Sequence, residues 1–219
     1  GEVDRLADGW RKMLAGMRKT ALLANADDPL VAAVALGSGR RTLFFGLEGA
    51  GDAAGNEVRD VTVCPRCAAM LTYTARWLSQ LGDYQCPGCG FRRPRRDLSA
   101  DVGLLEAAPG GGMRVPLGGR TSACLELRVP GLHTIYNALG ALGIGLELSV
   151  PAEQALASLS HYQPVFGRWS CLRRGETTVQ VNLAKNPASM NQSLRTVRAA
   201  PGEKALVFIL NDNIADGRD

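Results

Sequence analysis

Two cysteine pairs constrain this chain more than anything else in it: Cys64-Pro-Arg-Cys67, then eighteen residues, then Cys86-Pro-Gly-Cys89. Each pair predicts a tight turn that offers two thiolates, and residues 70–77 between them can form strands that bring the turns together. Zinc takes four soft ligands at tetrahedral corners, and a ribbon built this way supplies them. A redox dithiol is the other use of the same spacing. A site of four thiolates is closed, so it would hold structure and leave no open position for catalysis. The segment, about residues 60–98, is too short to own a core, so it reads as a staple inserted into a larger domain. Metal-ligand spacing for four of the six cysteines also points to a reducing, cytoplasmic setting. Cys124 and Cys171 lie in strand-like runs and read as small core residues.

The larger domain is α/β. Residues 3–19 predict an amphipathic helix with Leu6, Trp10, Met13, Leu14 and Met17 on one face. Residues 20–24 form a short apolar strand. Asn25-Ala-Asp-Asp-Pro29 then turns and caps a helix over 30–36, and a second strand follows at 42–45. Strand, helix, strand is the unit of a parallel sheet, and the chain opens in the middle of one, so an N-terminal part is expected to lie outside it. Residues 101–130 predict short strands, including 113–117 and 123–129. Gly118-Gly-Arg-Thr-Ser122 ends like a phosphate loop, but Arg120 stands where lysine is required, and both the glycine spacing and the strand-then-helix context fail. Residues 151–159 give another short helix.

Between these lies the stretch that carries the most chemistry, residues 131–145, with a helix expected from Ile135. Ile135, Ala138, Leu139, Leu142 and Leu146 recur at helical spacing behind Thr134, a plausible N-cap. Ala141 and Ile144 on the opposite side predict burial nearly all round. Asn137 falls on that second side. It is either a core asparagine bonded to a neighbouring loop or a carboxamide that faces a ligand.

A new section begins at Phe166-Gly-Arg168-Trp169. Residues 177–183 alternate with Val179, Val181 and Leu183 inward, residues 184–190 turn into a helix that ends before Pro201, and 205–210 form a continuous apolar run typical of a buried parallel strand. This predicts a second strand–helix–strand unit and the start of a Rossmann-like domain. Its polar loops, Asn182 to Pro187 and Asn211 to Asp219, would share the carboxyl edge of the sheet, where ligands bind.

The basic run Phe91-Arg-Arg-Pro-Arg-Arg96 has three readings: a nucleic-acid module with one aromatic for stacking, a patch for a phosphate-bearing substrate, or a solvated edge of the ribbon. Its shortness favours the solvated edge. A net charge of +4 is too small to imply a nucleic-acid partner by itself, and no apolar run approaches a membrane span.

Taken together, GLHTIYNALGALG, FGRWS, NLAKNPASMNQSL and LNDNIADGRD resemble the Mur ligase superfamily, and within it the MurT family, which an inserted four-cysteine ribbon separates from ordinary Mur ligases and folylpolyglutamate synthases. The resemblance implies a Mur ligase central domain over 1–163, N-terminally incomplete, with a parallel-rich sheet, helices and the zinc ribbon inserted at about 60–98. The beginning of an incomplete Rossmann-like C-terminal domain would follow at 164–219. Carried over, Asn137 matches the asparagine that reads the adenine of ATP, and Arg168 the arginine that reaches the nucleotide phosphates. Asn182 stands where the superfamily has a ribose-binding acid, with Lys185 in the same loop. Ordinary Mur ligases carry an Asp-x-x-His-Asn-Pro sequence where this chain has Asn182 and Lys185. Thr134 replaces an asparagine usual three residues before Asn137. The phosphate loop and the magnesium ligands have no counterpart in the chain.

The implied reaction is ATP-dependent amidation of the α-carboxylate of D-glutamate in lipid II, giving D-isoglutamine, with ATP and Mg as cofactors and zinc as a structural ion. Ammonia would come from a GatD-type glutaminase partner, and the substrate would be met at the inner face of the membrane; no nucleic acid is expected. Asp219 matches the aspartate that the family lends to its partner's catalytic triad. Two other classes compete: an amino-acid-adding Mur or folylpolyglutamate ligase, which the ribbon and Asn182 argue against, and a zinc-ribbon nucleic-acid binder centred on Arg92, Arg93, Arg95 and Arg96.

Overall fold

The Asp-Asp-Pro turn shows how local chemistry starts this fold. Asp28 has extended backbone and its carboxylate accepts from Leu30 N (2.8 Å) and Val31 N (3.1 Å), while Pro29 occupies the first helical position, where a missing N–H costs nothing. The helix it opens, α2 (Pro29–Gly37), follows strand β1 (Leu22–Asn25) and leads into β2 (Thr42–Glu48). β1 and β2 pair in parallel, as the strand–helix–strand pattern requires. The computed structural model describes residues 2–17, 19–51, 59, 61–108, 112–163, 170–175, 177–185, 187–199 and 202–209.

The sheet is mixed. β5 (Leu98–Asp101) extends it in parallel beside β2, and β7 (Gly112–Gly119) then runs antiparallel to β5. β7 is long enough to pair also with β6 (Glu106–Ala108) and β8 (Cys124–Leu127), both antiparallel. Between β2 and β5 the chain leaves the sheet to form a hairpin of β3 (Thr72–Leu78) and β4 (Leu81–Gln85).

Side chains of β2 alternate between two cores. Leu47, with Phe45 beside it, packs with Leu98, Val115 and Leu125 under α3 (Leu132–Glu147), which contributes Ile135, Leu139 and Leu142; α4 (Ala152–Ser160) packs partly buried at the same core. Phe44 faces the other way, toward α2 and the cysteine hairpin. Tyr136 of α3 reaches the turn after β1, Gly140 lies against Phe45 and Gly143 against Leu23. α3 therefore runs antiparallel to β1 and β2, with its first turns at the carboxyl edge of the sheet.

Four expectations change here. The N-cap of α3 lies three residues before Thr134: it is Gly131, at φ 112°, and Thr134 sits inside the first turn with its hydroxyl directed back to the Pro130 carbonyl at 3.4 Å. α3 is not buried all round; Ala141, Ile144 and Asn137 are exposed, because only one side of the helix meets the sheet. In α1 (Glu2–Gly16) the packed residues are Ala7 and Leu14, set against Leu30, Val34 and Val61. Leu6, Trp10, Met13 and Met17 are exposed. The fourth concerns Cys124, which is exposed at the lip of a groove of about 430 Å³ formed with Leu104, Leu105 and Arg114, so it is no core residue.

The last section differs more. Strands β9 (Ser170–Arg174) and β10 (Thr177–Val181) form an antiparallel hairpin, followed by α5 (Pro187–Ala199). The expected inward alternation is absent: Val179, Val181 and Leu183 are all exposed. Residues 205–209 form no strand, and Val207 and Ile209 are 82% and 90% exposed. An apolar run becomes a buried parallel strand only where neighbouring strands complete its ladder, and none of the described residues pairs with it. Cys171's side chain, Arg168 and Asp219 lie outside what the structure describes.

Candidate functional site

The cysteine hairpin brings its four thiols together. Val63 bridges Met70 and Gln85 bridges Arg92, closing one knuckle around each pair. In each, the first cysteine's N–H and C=O are held alike. Cys64 N donates to Ala69 O (2.8 Å) and Ala68 N donates to Cys64 O (2.9 Å); Cys86 N donates to Phe91 O (2.7 Å) and Gly90 N donates to Cys86 O (3.0 Å). The turns close through left-handed residues, Ala68 at φ 60° and Gly90 at φ 72°. The result sets Cys64 Sγ 3.6 Å from Cys89 Sγ and Cys67 Sγ 3.4 Å from Cys86 Sγ, with all four sulfurs within 4.8 Å of one another. A tetrahedron of sulfurs at Zn–S ≈ 2.3 Å has edges of about 3.8 Å. The donor set fits a metal of that class. Burial pushes the Cys64 thiol up, whereas at Cys86 burial is outweighed by N–H groups of Cys89 and Gly88 and by neighbouring thiols, which lower it to about 7.

Cys64 and Cys86 are buried and Cys67 and Cys89 exposed. The buried pair shares a core with Leu71, Tyr84 and Phe91 of the ribbon and with Ala24, Ala26, Ala32 and Phe44 of the sheet and α2. The ribbon therefore borrows its core from the domain, as its size demands.

The basic run is a solvated edge only in part, because Arg93 and Arg96 are paired within the fold. Arg93's side chain is only 5% exposed; its guanidinium lies 4.6 Å above the Trp77 ring and donates to the Leu47 carbonyl. Its Nε approaches Asp27 Oδ1 at 2.7 Å, a charge contact in which the N–H does not point along the line. Arg96 pairs with Glu48 at 2.8 Å, and that hydrogen bond holds the Glu48 carboxyl below its usual range. Arg92 and Arg95 are exposed.

Asp27 is the residue that sequence reading missed. It is fully buried in the turn after β1, and its Oδ2 accepts from Leu47 N and from the Tyr136 hydroxyl, each at 2.7 Å. A Cβ at Gly46 would meet Asp27 Oδ1 at 2.3 Å, so the carboxylate needs a glycine opposite it. Burial pushes its carboxyl up, to about 6, against the pull of Arg93, the Leu47 N–H and Tyr136. Burial and the same carboxylate also raise the Tyr136 hydroxyl. The one signal in the sequence was a second acid in Asp-Asp-Pro beyond the single one a cap needs.

Asn137 follows Tyr136 but points away from the core, exposed on α3 near the carboxyl edge. The choice left open by the sequence falls against a core asparagine. Asn182 and Lys185 share the exposed loop between β10 and α5. Asn182 Nδ2 donates to Ser193 Oγ (2.6 Å) and Lys185 N to Ser189 Oγ (3.1 Å), which ties the loop to the first turns of α5.

This mixed sheet, with α3 on one face and α2 on the other, is a Mur-ligase-like α/β fold: a pseudomurein peptide ligase type C from Methanothermus fervidus superposes with TM-score 0.65 and 25% identity, over 80% of this chain and 34% of that one. More particularly, residues 183–219 match the MurT ligase C-terminal family model. The whole chain is 29% identical to the lipid II isoglutaminyl synthase (glutamine-hydrolyzing) subunit MurT of Staphylococcus aureus, and 96% of it is 28% identical to the subunit of the same name from Streptococcus pneumoniae. The chain spans about half the length of these relatives, 48% and 46%. Among the described residues, no helix is long and apolar enough to cross a membrane.

Proposed function

We propose that this chain contributes to an ATP-dependent amide ligase of the MurT type, which amidates the D-glutamate α-carboxylate of lipid II with ammonia from a GatD-type glutaminase subunit. The observation that carries this reading is identity along the entire chain to subunits of that name, combined with a four-cysteine cluster set between β2 and β5 of a Mur-ligase-like sheet. The proposed division is a central domain over 1–163 and the start of a C-terminal domain at 164–219.

Cys64, Cys67, Cys86 and Cys89 would hold a structural zinc ion; with four thiolates bound it supplies no chemistry to the reaction. Asn137 would read the adenine, and its exposure at the carboxyl edge leaves its carboxamide free to do so. Arg168 would meet the phosphates, and Asn182 and Lys185 the ribose side. Asp219 would orient the histidine of the partner's glutaminase site, so that ammonia is released only when the subunits are docked. A nucleic-acid role is disfavoured, since Arg93 and Arg96 are already committed to Asp27 and Glu48.

The test uses the full-length protein with a glutaminase subunit, lipid II, ATP, Mg and isotope-labelled glutamine, read by the mass of the product. Asn137→Ala and Arg168→Ala should each cost ~1–3 kcal/mol in nucleotide use. Asp219→Asn should abolish glutamine-dependent amidation while free ammonium restores product. Transfer of an amino acid in place of ammonia would move the protein to the amino-acid-adding ligases, and unchanged nucleotide use in both variants would remove the ATP assignments.

A further inference from the structure

One chain of buried contacts joins the cysteine cluster to α3. Arg93 leaves the second knuckle four residues after Cys89, and its backbone N–H donates to Tyr84 O at 3.1 Å, which fixes where its side chain enters the domain. There it meets Asp27 at 2.7 Å, and Asp27 in turn accepts from Tyr136 at 2.7 Å. Tyr136 is the residue before Asn137 on α3. Around the carboxylate stand Tyr84, Arg93 and Arg96 from the ribbon, Leu47 N from β2, Tyr136 from α3 and Asp28 from its own turn. Arg93 is the cation in contact with Asp27 in this set. A buried carboxylate that loses its cation must take up a proton, draw in water or move. Each response changes what Tyr136 donates to.

We propose that Asp27 is a positioning residue: through Arg93 and Tyr136 it makes the placement of α3, and with it nucleotide affinity at Asn137, depend on whether the four-cysteine ribbon holds its metal. The inference rests on the nucleotide reading above for its functional half and on the buried contacts alone for its structural half. When the knuckles loosen, Arg93 is no longer presented to Asp27. Tyr136 then loses a charged acceptor, and the first turns of α3, at the ligand edge, lose the bond that fixes them. Tyr136→Phe cuts the link at its last step and keeps the ring that packs in the core.

The experiment compares full-length wild type and Tyr136→Phe, each with zinc and after chelation. Two quantities are read: hydrogen exchange of peptides covering Leu132–Glu147, and affinity for the ATP analogue AMP-PNP. In wild type, chelation should speed exchange in α3 and weaken nucleotide binding by about fivefold or more, the scale of a modest coupling between sites. In Tyr136→Phe both responses to chelation should vanish, within about twofold, while zinc affinity is unchanged. If Tyr136→Phe does not fold, Asp27→Asn, which keeps the shape and removes the charge that holds Arg93, gives the same comparison. Wild-type α3 exchange that ignores chelation, or a response that persists in the variant, overturns the proposal. A metal-dependent α3 with nucleotide affinity that follows neither metal nor Asn137→Ala keeps the positioning role of Asp27 and overturns the nucleotide reading.

Discussion

The ribbon and the segment after residue 170 are both short pieces with a hairpin, and they behave in opposite ways. In the ribbon, Tyr84 and Cys86 are buried to within 1% and Arg93 to within 5%, because the sheet and α2 lend it a core. In β10 every residue is exposed, and its apolar side chains Val179 and Val181 find no cover among the described residues. Both carry apolar residues in alternation, Leu71, Tyr73, Ala75 and Trp77 in the ribbon and Val179, Val181 and Leu183 in the later segment, yet among the described residues only the ribbon's are wholly or partly covered. Local pattern therefore sets which backbone a segment can adopt, while burial depends on what stands opposite it.

The sharpest way to break this comparison is to remove a thiol of the cysteine cluster. Cys64→Ser should abolish stoichiometric zinc, measured by elemental analysis, and lower the midpoint of thermal unfolding by more than about 10 °C, since structural zinc supplies about 10 kcal/mol or more to small folds. Because Cys64 packs with Ala24, Ala26 and Phe44, the loss should also speed hydrogen exchange in β1 and α2, whereas β9 and β10 should not respond. A sheet that stays wholly protected would mean the ribbon is an independent appendage.

Next in size is the buried charge pair. Arg93→Ala leaves Asp27 unpaired in a dry site and should destabilise by about 3–5 kcal/mol in urea titrations, the usual cost of breaking such a pair. Arg92→Ala, one residue away and exposed, should stay within about 0.5 kcal/mol. Equal effects would contradict the observed burial.

The pH dependence of Asp27 is smaller and has a definite sign. Its folded value, about 6, lies above the ordinary 3.8, so between these values the folded protein holds a proton that the unfolded chain has lost. Stability from this group is thus full below about pH 4 and falls as pH rises toward 6, by at most about 1.4 kcal/mol for each step of one in pH. The stability of Asp27→Asn relative to wild type should accordingly improve between pH 4 and pH 7. A gap that does not change with pH would mean Arg93 holds the carboxylate charged throughout.

The smallest effect belongs to the other region. Val179→Thr in β10 should alter stability by less than about 0.5 kcal/mol, as for an exposed position. A loss of several times that in the full-length protein would show that another element covers this face there.

Much of the fold was legible because it rests on contacts close in the chain. The Asp28 cap, the parallel pairing of β1 with β2 and the β7 and β8 strands all lie within a few residues of their expected bounds. So does the closing of the four cysteines, since a Cys-Pro-x-Cys turn sets two thiols by backbone geometry alone. The errors fall where a helix face or a strand had to be assigned a neighbour: α1's apolar stripe, the far side of α3 and the run at 205–209.

Spacing and turn chemistry in the sequence by themselves determined the four-thiol cluster, the α/β order of elements and the loop that carries Asn182 and Lys185. Only the tertiary structure decided that Arg93 goes inward, that Asn137 faces out and that Asp27, Arg93 and Tyr136 meet. These three are separated by 66 and 43 residues in the chain, 93 − 27 and 136 − 93, so no local period records their contact. A charge run reads as solvated because water is the default partner of an arginine. Arg93 turns inward here because a buried carboxylate, a carbonyl and an indole face, from three different elements, together replace that water.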